Sequence, residues 1–514
     1  MTAVGIIHGS VTCRNWENFL GSGITKTLPP VFLLLAWLGS LDVVIGAPPP
    51  PSIRFCTFNV TLNRFDRGTP IPTLLANPAA DAPRRIAEII QRIRPDVLLL
   101  NEFDYDEANP NGTGSAPQLF QQNFLSIGQN ISDPTKSAQM SISYDYRYVA
   151  PVNTGHPSGF DYDRNGTVNT TVGTEPYGND CYGFGRWPGQ YGMVIYSRFP
   201  IQTADVRTFQ KVLWKDIPAA ALPDFAGTPA VPADWYSTAA LTGFRISSKS
   251  HWDVPININS HIVHLLVAHP TPPTFDGTED RNGRRNHDEI KLWADYLSPQ
   301  TSGYIKDDAD VAGGLAGDER FVIMGDYNAD PFKGASYLAA IRQILDHPRV
   351  NSLYSPYRSQ QTPPFPFGTG YFNQFGYDTA SFSGGLRVDY VLPSKLGMKV
   401  LSGYIYWPVS PDPTASLIAV SDHRPVQLTM QLTPVVSQAV KNLRIAYEAG
   451  NVVLRWQGRT GYGYKVSQSG NLQGPWTVAP GNPVTVDSGT FAAQWTDTAP
   501  SAGRNFYRVE ITFQ

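Results

Sequence analysis

Six apolar runs in this chain each end on, or carry, a polar residue that can bind a cation or move a proton, and they constrain the fold more than any other feature. Such a run forms a buried strand. A sheet of strands is a rigid frame on which side chains distant in sequence are held in fixed geometry. Asn59 stands at the end of IRFCTFNV (Ile53 to Val60), and Glu102 follows DVLLLN (Asp96 to Asn101). His269 follows LLVA (Leu265 to Ala268), while Asp326 and Asn328 follow VIMG (Val322 to Gly325). Asp389 lies inside RVDYVL, and Asp422 and His423 open the last run, in which Val426, Leu428, Met430 and Leu432 alternate. Singly, these residues are ordinary. An Asn ends many strands, a Glu caps a helix, and most of the 9 histidines, His251, His261 and His264 among them, have no claim beyond packing or surface. Six sites in succession on apolar strands are not explained by packing.

Their chemistry is coherent. Hydrolysis of a phosphate ester needs a cation to neutralise developing charge, an activated water and a proton donor for the leaving oxygen. Glu102, Asn59 and Asp422 offer hard oxygen donors that suit Mg2+ or Mn2+. His269 and His423 suit proton transfer near neutral pH, and a carboxylate such as Asp389 can fix an imidazole's tautomer. No paired Cys/His spacing suggests zinc.

Between the runs, Ile86, Ile89, Ile90 and Ile93 recur at helical spacing before Pro95, and Ile290, Trp293, Ala294 and Leu297 do the same. A further strand is expected at Met193 to Ser197. The pattern predicts an α/β fold, a four-layer sandwich of two mixed β-sheets with outer helices. Inserts at Asp104 to Gln190 and Thr203 to Asn259 should shape the substrate mouth. From residue 434 the alternation of Val452, Leu454, Trp456 and of Tyr507, Val509, Ile511 predicts a small all-β sandwich domain, read as a structural or adhesive appendage.

At the other end, Lys26, the apolar run Val31 to Leu41 and the small residue Ala47 predict a signal peptide over 1–47. The main domain then covers 48–433, and the protein is expected to be secreted or periplasmic, without stable membrane insertion once the signal is removed. Cys13 leaves with the leader, and Cys56 and Cys181 are expected to be free, buried thiols. Net charge is -3, from 40 Lys+Arg against 43 Asp+Glu, so binding to nucleic acid through overall charge is excluded and any polyanion contact has to be local or through metal.

FNV around Asn59, LLLNEFD around Glu102, GQYGMVIYSRFPI (Gly189 to Ile201), VAHP around His269, GDYNADP around Asp326, RVDYVL around Asp389 and SDHRPV around His423 resemble, in order, the successive motifs of the endonuclease/exonuclease/phosphatase superfamily, whose fold is that of deoxyribonuclease I. The resemblance spans Ile53 to about Leu432. It implies a divalent-metal-dependent phosphoesterase with Glu102 as principal metal ligand and Asn59 and Asp422 near the metal or its waters. Asp326 is implied to orient or deprotonate the attacking water, Asn328 to hold a phosphoryl oxygen, His423 to contact the scissile phosphate with Asp389 orienting it, and His269 to act as the other acid/base group. Asn101 departs from the family's usual Gln, and the carboxylate that pairs with the first histidine in deoxyribonuclease-like members is not identifiable from this sequence, which leaves the exact role of His269 open.

The substrate is expected to be a phosphate ester. A diester, nucleic acid included, comes first, with a small organic monoester as the alternative and a catalytically silent binding or adhesion module as the reading of another class; no protein partner is expected. Arg281, Arg284 and Arg285 could clamp phosphate or be a solvated helix start. Asp161, Asp163 and Asn165 open like a calcium loop, but Val172 occupies the closing position, which leaves a structural Ca2+ site and an ion-free Asx turn both open.

Overall fold

The structure is a computed structural model. It describes residues 3–7, 52–225, 233–358 and 376–433, and in the C-terminal region 441–458, 463–470, 475, 477–481, 484–485, 492–498 and 505–512. Two compact units result, one of Pro51–Pro434 and one of Met1–Pro50 with Val435–Gln514. The apolar run from Val31 to Leu41 and Cys13 lie outside the described residues.

The larger unit is a four-layer α/β sandwich. Its first sheet runs, in spatial order, Tyr357–Arg358, Met398–Ile405, Val426–Leu432, Ser52–Leu62, Val97–Phe103, Met193–Ser197 and Tyr146–Tyr148. The second runs Asp389–Pro393, Arg320–Asp326, His261–Ala268, His251–Ile258 and Arg207–Thr208. Both are mixed. Ser52–Leu62 pairs in parallel with Val97–Phe103 through the helix Asp81–Ile93, and His261–Ala268 pairs in parallel with Arg320–Asp326 through the helix Arg281–Tyr296.

Continuous apolar runs, rather than alternating ones, are what this layering requires, because each central strand is covered on both faces. Phe55, Leu99 and Ile195 face inward against Val254, Leu265, Val322 and Met324 of the second sheet. Their neighbours Phe58, Leu98, Leu100 and Val194 face outward onto Ile86, Ile89, Ile90 and Ile93 of the first helix. On the far side, Leu266, Ile323 and Leu392 meet Ile290, Trp293 and Leu297. Each such side chain contributes about 1.5–3 kcal/mol on full burial. The helix Asp81–Ile93 stops at Arg94, which is left-handed (φ 55) and donates its N–H to Ile90 O at 2.7 Å, and Pro95 cannot extend the turn.

Some boundaries differ from the sequence expectation. The strand bearing Asn59 continues to Leu62, and Glu102 lies inside its strand rather than after it. Asp422 and His423 precede the last strand, which begins at Val426. Strands His251–Ile258 and Met398–Ile405 have no counterpart among the expected ones.

The smaller unit is all β. Lys441–Glu448, Asn451–Gln457 and Ala492–Asp497 form one sheet, and Asn505–Thr512 and Gly463–Ser469 belong to the other, where Ala3–Ile7 pairs in parallel with Asn505–Thr512. Leu454 and Trp456 from the first share a core with Tyr464, Val466 and Tyr507 from the second. Among the described residues, no helix is long and apolar enough to cross a membrane. Cys56 and Cys181 are free and buried.

Candidate active site

Strand register assembles the site. In the first sheet Asn59 pairs with Asn101, so Glu102 emerges beside Asn59. In the second sheet Asp326 pairs directly with Asp389. The parallel pairing of Val267 with Met324, continued by two residues, brings His269 alongside Asp326. Gly325 makes this last approach possible: a Cβ on it would lie 2.0 Å from the carbonyl oxygen of Ala268, and its φ of 150 is one that L side chains rarely adopt. Glu102 (φ 56) and Asn328 (φ 52) are left-handed non-glycine residues. That conformation costs about 1–2 kcal/mol per residue, strain of the kind that gathers at functional positions.

Asp326 is the hub. Its Oδ2 accepts from Asn59 Nδ2 at 3.0 Å and lies 3.4 Å from His269 Nε2 and 3.5 Å from His423 Nε2. The Asn59 amide also donates to Glu102 Oε1 at 3.0 Å, so one carboxamide from the first sheet ties two carboxylates together across the sheets. His423 Nδ1 stands 2.9 Å from Asp389 Oδ2, a second pair made across the sheets. Asn328 donates its backbone N–H to Asp326 Oδ1 at 2.9 Å and one side-chain N–H to Pro270 O at 3.1 Å. Asp422 is exposed on the cavity wall, and its backbone carbonyl accepts from Ser381. His269 Nδ1 is buried with no hydrogen-bond partner among the described residues.

The two imidazoles are tuned in opposite directions. Burial alone would lower His423, but Asp389 and Asp326 outweigh it and raise the ring to about 10, favouring the imidazolium. Burial, with Lys249 and His423 nearby, holds His269 well below its usual range, favouring the neutral ring. Burial pushes the Asp326 carboxyl up against the pull of His423, and pushes Glu102 up against Asn59, His423 and Lys249. Two carboxylates raised by desolvation in one cavity call for a cation. Glu102 and Asp326, with Asn59 and Asp422 near them, are the hard donors a small divalent ion takes, so the residues present fit one. Ligand atoms of Asp326, Asp389 and His423 also lie within 4.8 Å of one another, although Asp389 and His423 already bond to each other.

The surroundings hold residues that strand-end reasoning missed. Asn63 Nδ2 donates to Glu102 Oε2 at 3.0 Å and so fixes the carboxylate's second oxygen. From the helix Arg281–Tyr296, the buried Glu289 accepts from Ser248 N and Thr271 N, each at 2.9 Å, and Asn286 donates to Thr271 O and Tyr327 O. That helix therefore clamps the loops that carry Lys249, His269 and Asn328. Lys249 is buried on the cavity wall, where burial lowers its basicity and Glu289, Glu102 and Asp326 oppose that lowering. None of these residues ends one of the apolar runs, and the hydrogen bonds that tie Asn63, Asn286 and Glu289 to the site span 15 to 41 positions.

The arginine trio does not form a clamp. Arg285 is buried and donates to the carbonyls of Ile246, Tyr182 and Arg245; Arg281 pairs with Glu279; Arg284 lies over Tyr337 and reaches Leu222 O. Neither a phosphate fork nor a wholly solvated helix start describes them. The carboxylates of Asp161 and Asp163 converge with Asp180, which the calcium-loop pattern did not include, and accept the N–H groups of Asn165 and Gly166. Asn165 itself turns away, to Thr167 N. Glu102, His269, Asp326, Asn328, Asp422 and His423 open onto a cavity of about 1110 Å³ whose lining includes Tyr162, Phe184, Tyr236 and Phe244, all from the two inserts.

The sequence pattern described as the Endonuclease/Exonuclease/phosphatase family matches residues 56–423. Similar solved structures include an endonuclease/exonuclease/phosphatase from Beutenbergia cavernae, 15% identical over 89% of this chain and 92% of that one with a TM-score of 0.40. The human nocturnin catalytic domain with bound sulfate is 13% identical over 75% of this chain and 96% of that one, with a TM-score of 0.36. Sphingomyelinase C from Streptomyces griseocarneus is 14% identical over 74% of this chain and 99% of that one, with a TM-score of 0.34. No curated protein matches the chain.

Proposed function

The chain belongs to the endonuclease/exonuclease/phosphatase family, and from that premise we propose that it is an exported, Mg2+- or Mn2+-dependent phosphodiesterase that hydrolyses small organic phosphate esters rather than long nucleic acid. The observation that carries this is Asp326, held between His423 and His269, whose rings are shifted in opposite directions, and joined through Asn59 to Glu102. A divalent ion held by Glu102, with Asn59 and Asp422 near it, would neutralise charge on the phosphate and acidify a water. Asp326 would orient that water and accept its proton. His423, steadied by Asp389, would present positive charge to the phosphoryl oxygens, and His269 Nε2 would serve as the second proton-transfer group. Asn328 has an amide N–H left for a phosphoryl oxygen after its bond to Pro270.

Preference for a small ester follows from the surroundings. The three arginines that could have clamped phosphate are engaged elsewhere, and aromatic side chains of the inserts border the cavity. Export rests on the apolar run from Val31 to Leu41 and its flanks, with 1–47 as the segment removed, a removal that would also take the strand Ala3–Ile7 from the edge of the smaller unit's sheet. The test is hydrolysis of bis-p-nitrophenyl phosphate, p-nitrophenyl phosphate, plasmid DNA and RNA, side by side, after chelation and with Mg2+ or Mn2+ restored. Metal-dependent diester cleavage with the polymers spared is expected. Turnover of the monoester alone would move the protein to the phosphatase branch, rapid DNA cleavage would overturn the small-ester preference, and silence on all four would leave the binding module as the better reading.

A further inference from the structure

A lysine whose stem is buried while its ammonium meets only a cavity, with no protein group bonded to it, leaves its charge to be answered by whatever enters that cavity. Lys249 is in that position. It is 5% exposed and lines the cavity together with Glu102, His269, Asp326, Asn328 and His423. Its backbone is fixed: Lys249 O accepts from Asn153 N at 2.8 Å, and the preceding Ser248 N donates to Glu289 at 2.9 Å. Its ammonium, however, makes no hydrogen bond and no ion pair among the described residues; Glu289, Glu102 and Asp326 act on it only at longer range.

The other cations of the cavity wall are committed. Arg67 donates to Thr61 O and Val420 O, Arg281 pairs with Glu279, Arg285 donates to three carbonyls, and Lys333 pairs with Asp378 at 2.8 Å. Lys249 thus brings free N–H donors and a positive charge to a cavity otherwise rich in carboxylates. We propose that Lys249 is a catalytic residue whose ammonium donates to a non-bridging oxygen of the scissile phosphate and stabilises the charge that gathers there as the ester bond breaks. This rests on the phosphoesterase reading and adds to it a protein cation of fixed position. The unpaired state of the free protein is then the binding site itself: the phosphate supplies the missing partner.

The test uses the full chain and the variants K249M, K249R and K249A. Thermal unfolding without metal is read first. K249M is expected to melt several degrees higher, since methionine fills the same channel without a buried charge, whereas a lysine that served only to balance the carboxylates would give a lower melting temperature. Binding of inorganic phosphate, measured by calorimetry with Mg2+ present, is expected to weaken at least about tenfold in K249M. Turnover of the ester that the wild type accepts should fall roughly 100- to 1,000-fold in K249M and K249A. K249R should recover part of it, and added methylammonium should recover part in K249A. Wild-type phosphate affinity in K249M, or a fall in turnover accompanied by a lower melting temperature and no rescue by methylammonium, overturns the proposal. Should the wild type hydrolyse none of the esters, the phosphoesterase reading fails, while phosphate binding and melting still decide whether Lys249 is an anion-binding group.

Discussion

Replacing Asp389 by Asn tests the electrostatics of the site most directly, because it removes one charge and little volume. His423 Nδ1 lies 2.9 Å from Asp389 Oδ2, both groups are buried, and the ring is raised from 6.5 to about 10. That rise corresponds to about 5 kcal/mol of preference for the imidazolium. Asp389 is the largest of the contributions that raise it, ahead of Asp326, and also supplies the hydrogen bond. D389N should therefore bring the ring back towards 6.5, by at most the about 5 kcal/mol of that rise. The assay is the imidazole titration by long-range nitrogen–proton correlation NMR on chelated protein, so that bound metal plays no part. Linkage gives the sign for stability: a raised imidazole contributes fully below pH 6.5, and that contribution is lost as pH rises towards 10. Wild type should lose stability over that interval, and D389N should show a flatter profile. With metal restored, D389N turnover should fall roughly 10- to 1,000-fold and decline at a lower pH than wild type. A wild-type His423 that titrates near 6.5, or an unchanged ring in D389N, would refute the reasoning.

Three other perturbations follow. G325A would place a methyl group 2.0 Å from Ala268 O, so it should cost roughly 2–4 kcal/mol in urea unfolding and depress turnover beyond that loss, because His269 and Asp326 flank the contact. E102Q should raise the Mg2+ concentration needed for half-maximal activity roughly 10- to 100-fold while the circular dichroism spectrum is unchanged; equal metal affinity in calorimetry would remove Glu102 as a ligand. His347 accepts Arg349 N at 3.2 Å through Nδ1, and burial, then Arg349 and Lys395, lower it from 6.5 to about 4. The unfolded ring takes up a proton that the folded one refuses, so stability is complete above pH 6.5 and falls by about 3 kcal/mol as pH drops to 4, a fall that H347N should flatten in denaturant titrations at pH 7 and pH 4.5.

Where strands are buried on both faces, the sequence is nearly transparent. VLLL from Val97 to Leu100 can be nothing but central, and the acid beyond it then falls at the sheet's end. HWDVPINI (His251–Ile258) was opaque for a physical reason. Its Asp253 and its neighbour His264 look like surface residues, yet Asp253 accepts Tyr296 Oη at 2.6 Å and lies 2.7 Å from His264 Nδ1, so their polarity is satisfied at long range. Met398–Ile405 was hidden by exposure on one side and by a register shift between Val400 and Ser402. The same divide runs through the site. Glu102, His269, Asp326 and His423 sit on or next to apolar strands and were visible. Lys249, Asn63 and Glu289 come from a loop, a helix cap and a helix interior, and only folding brings them to the cavity or to its carboxylates.

Both short pairs at the centre of the site join one sheet to the other: Asn59 to Asp326, and His423, which leads into Val426–Leu432, to Asp389. Neither sheet owns a complete constellation, so the order of events during refolding becomes readable. A chain that has formed its strands but not yet closed the apolar layer of Leu99, Leu265 and Met324 holds every one of these residues and no working centre. Recovery of far-ultraviolet signal should therefore precede recovery of turnover, and the lag between the two curves times the docking of the sheets, with the substrate as the stopwatch.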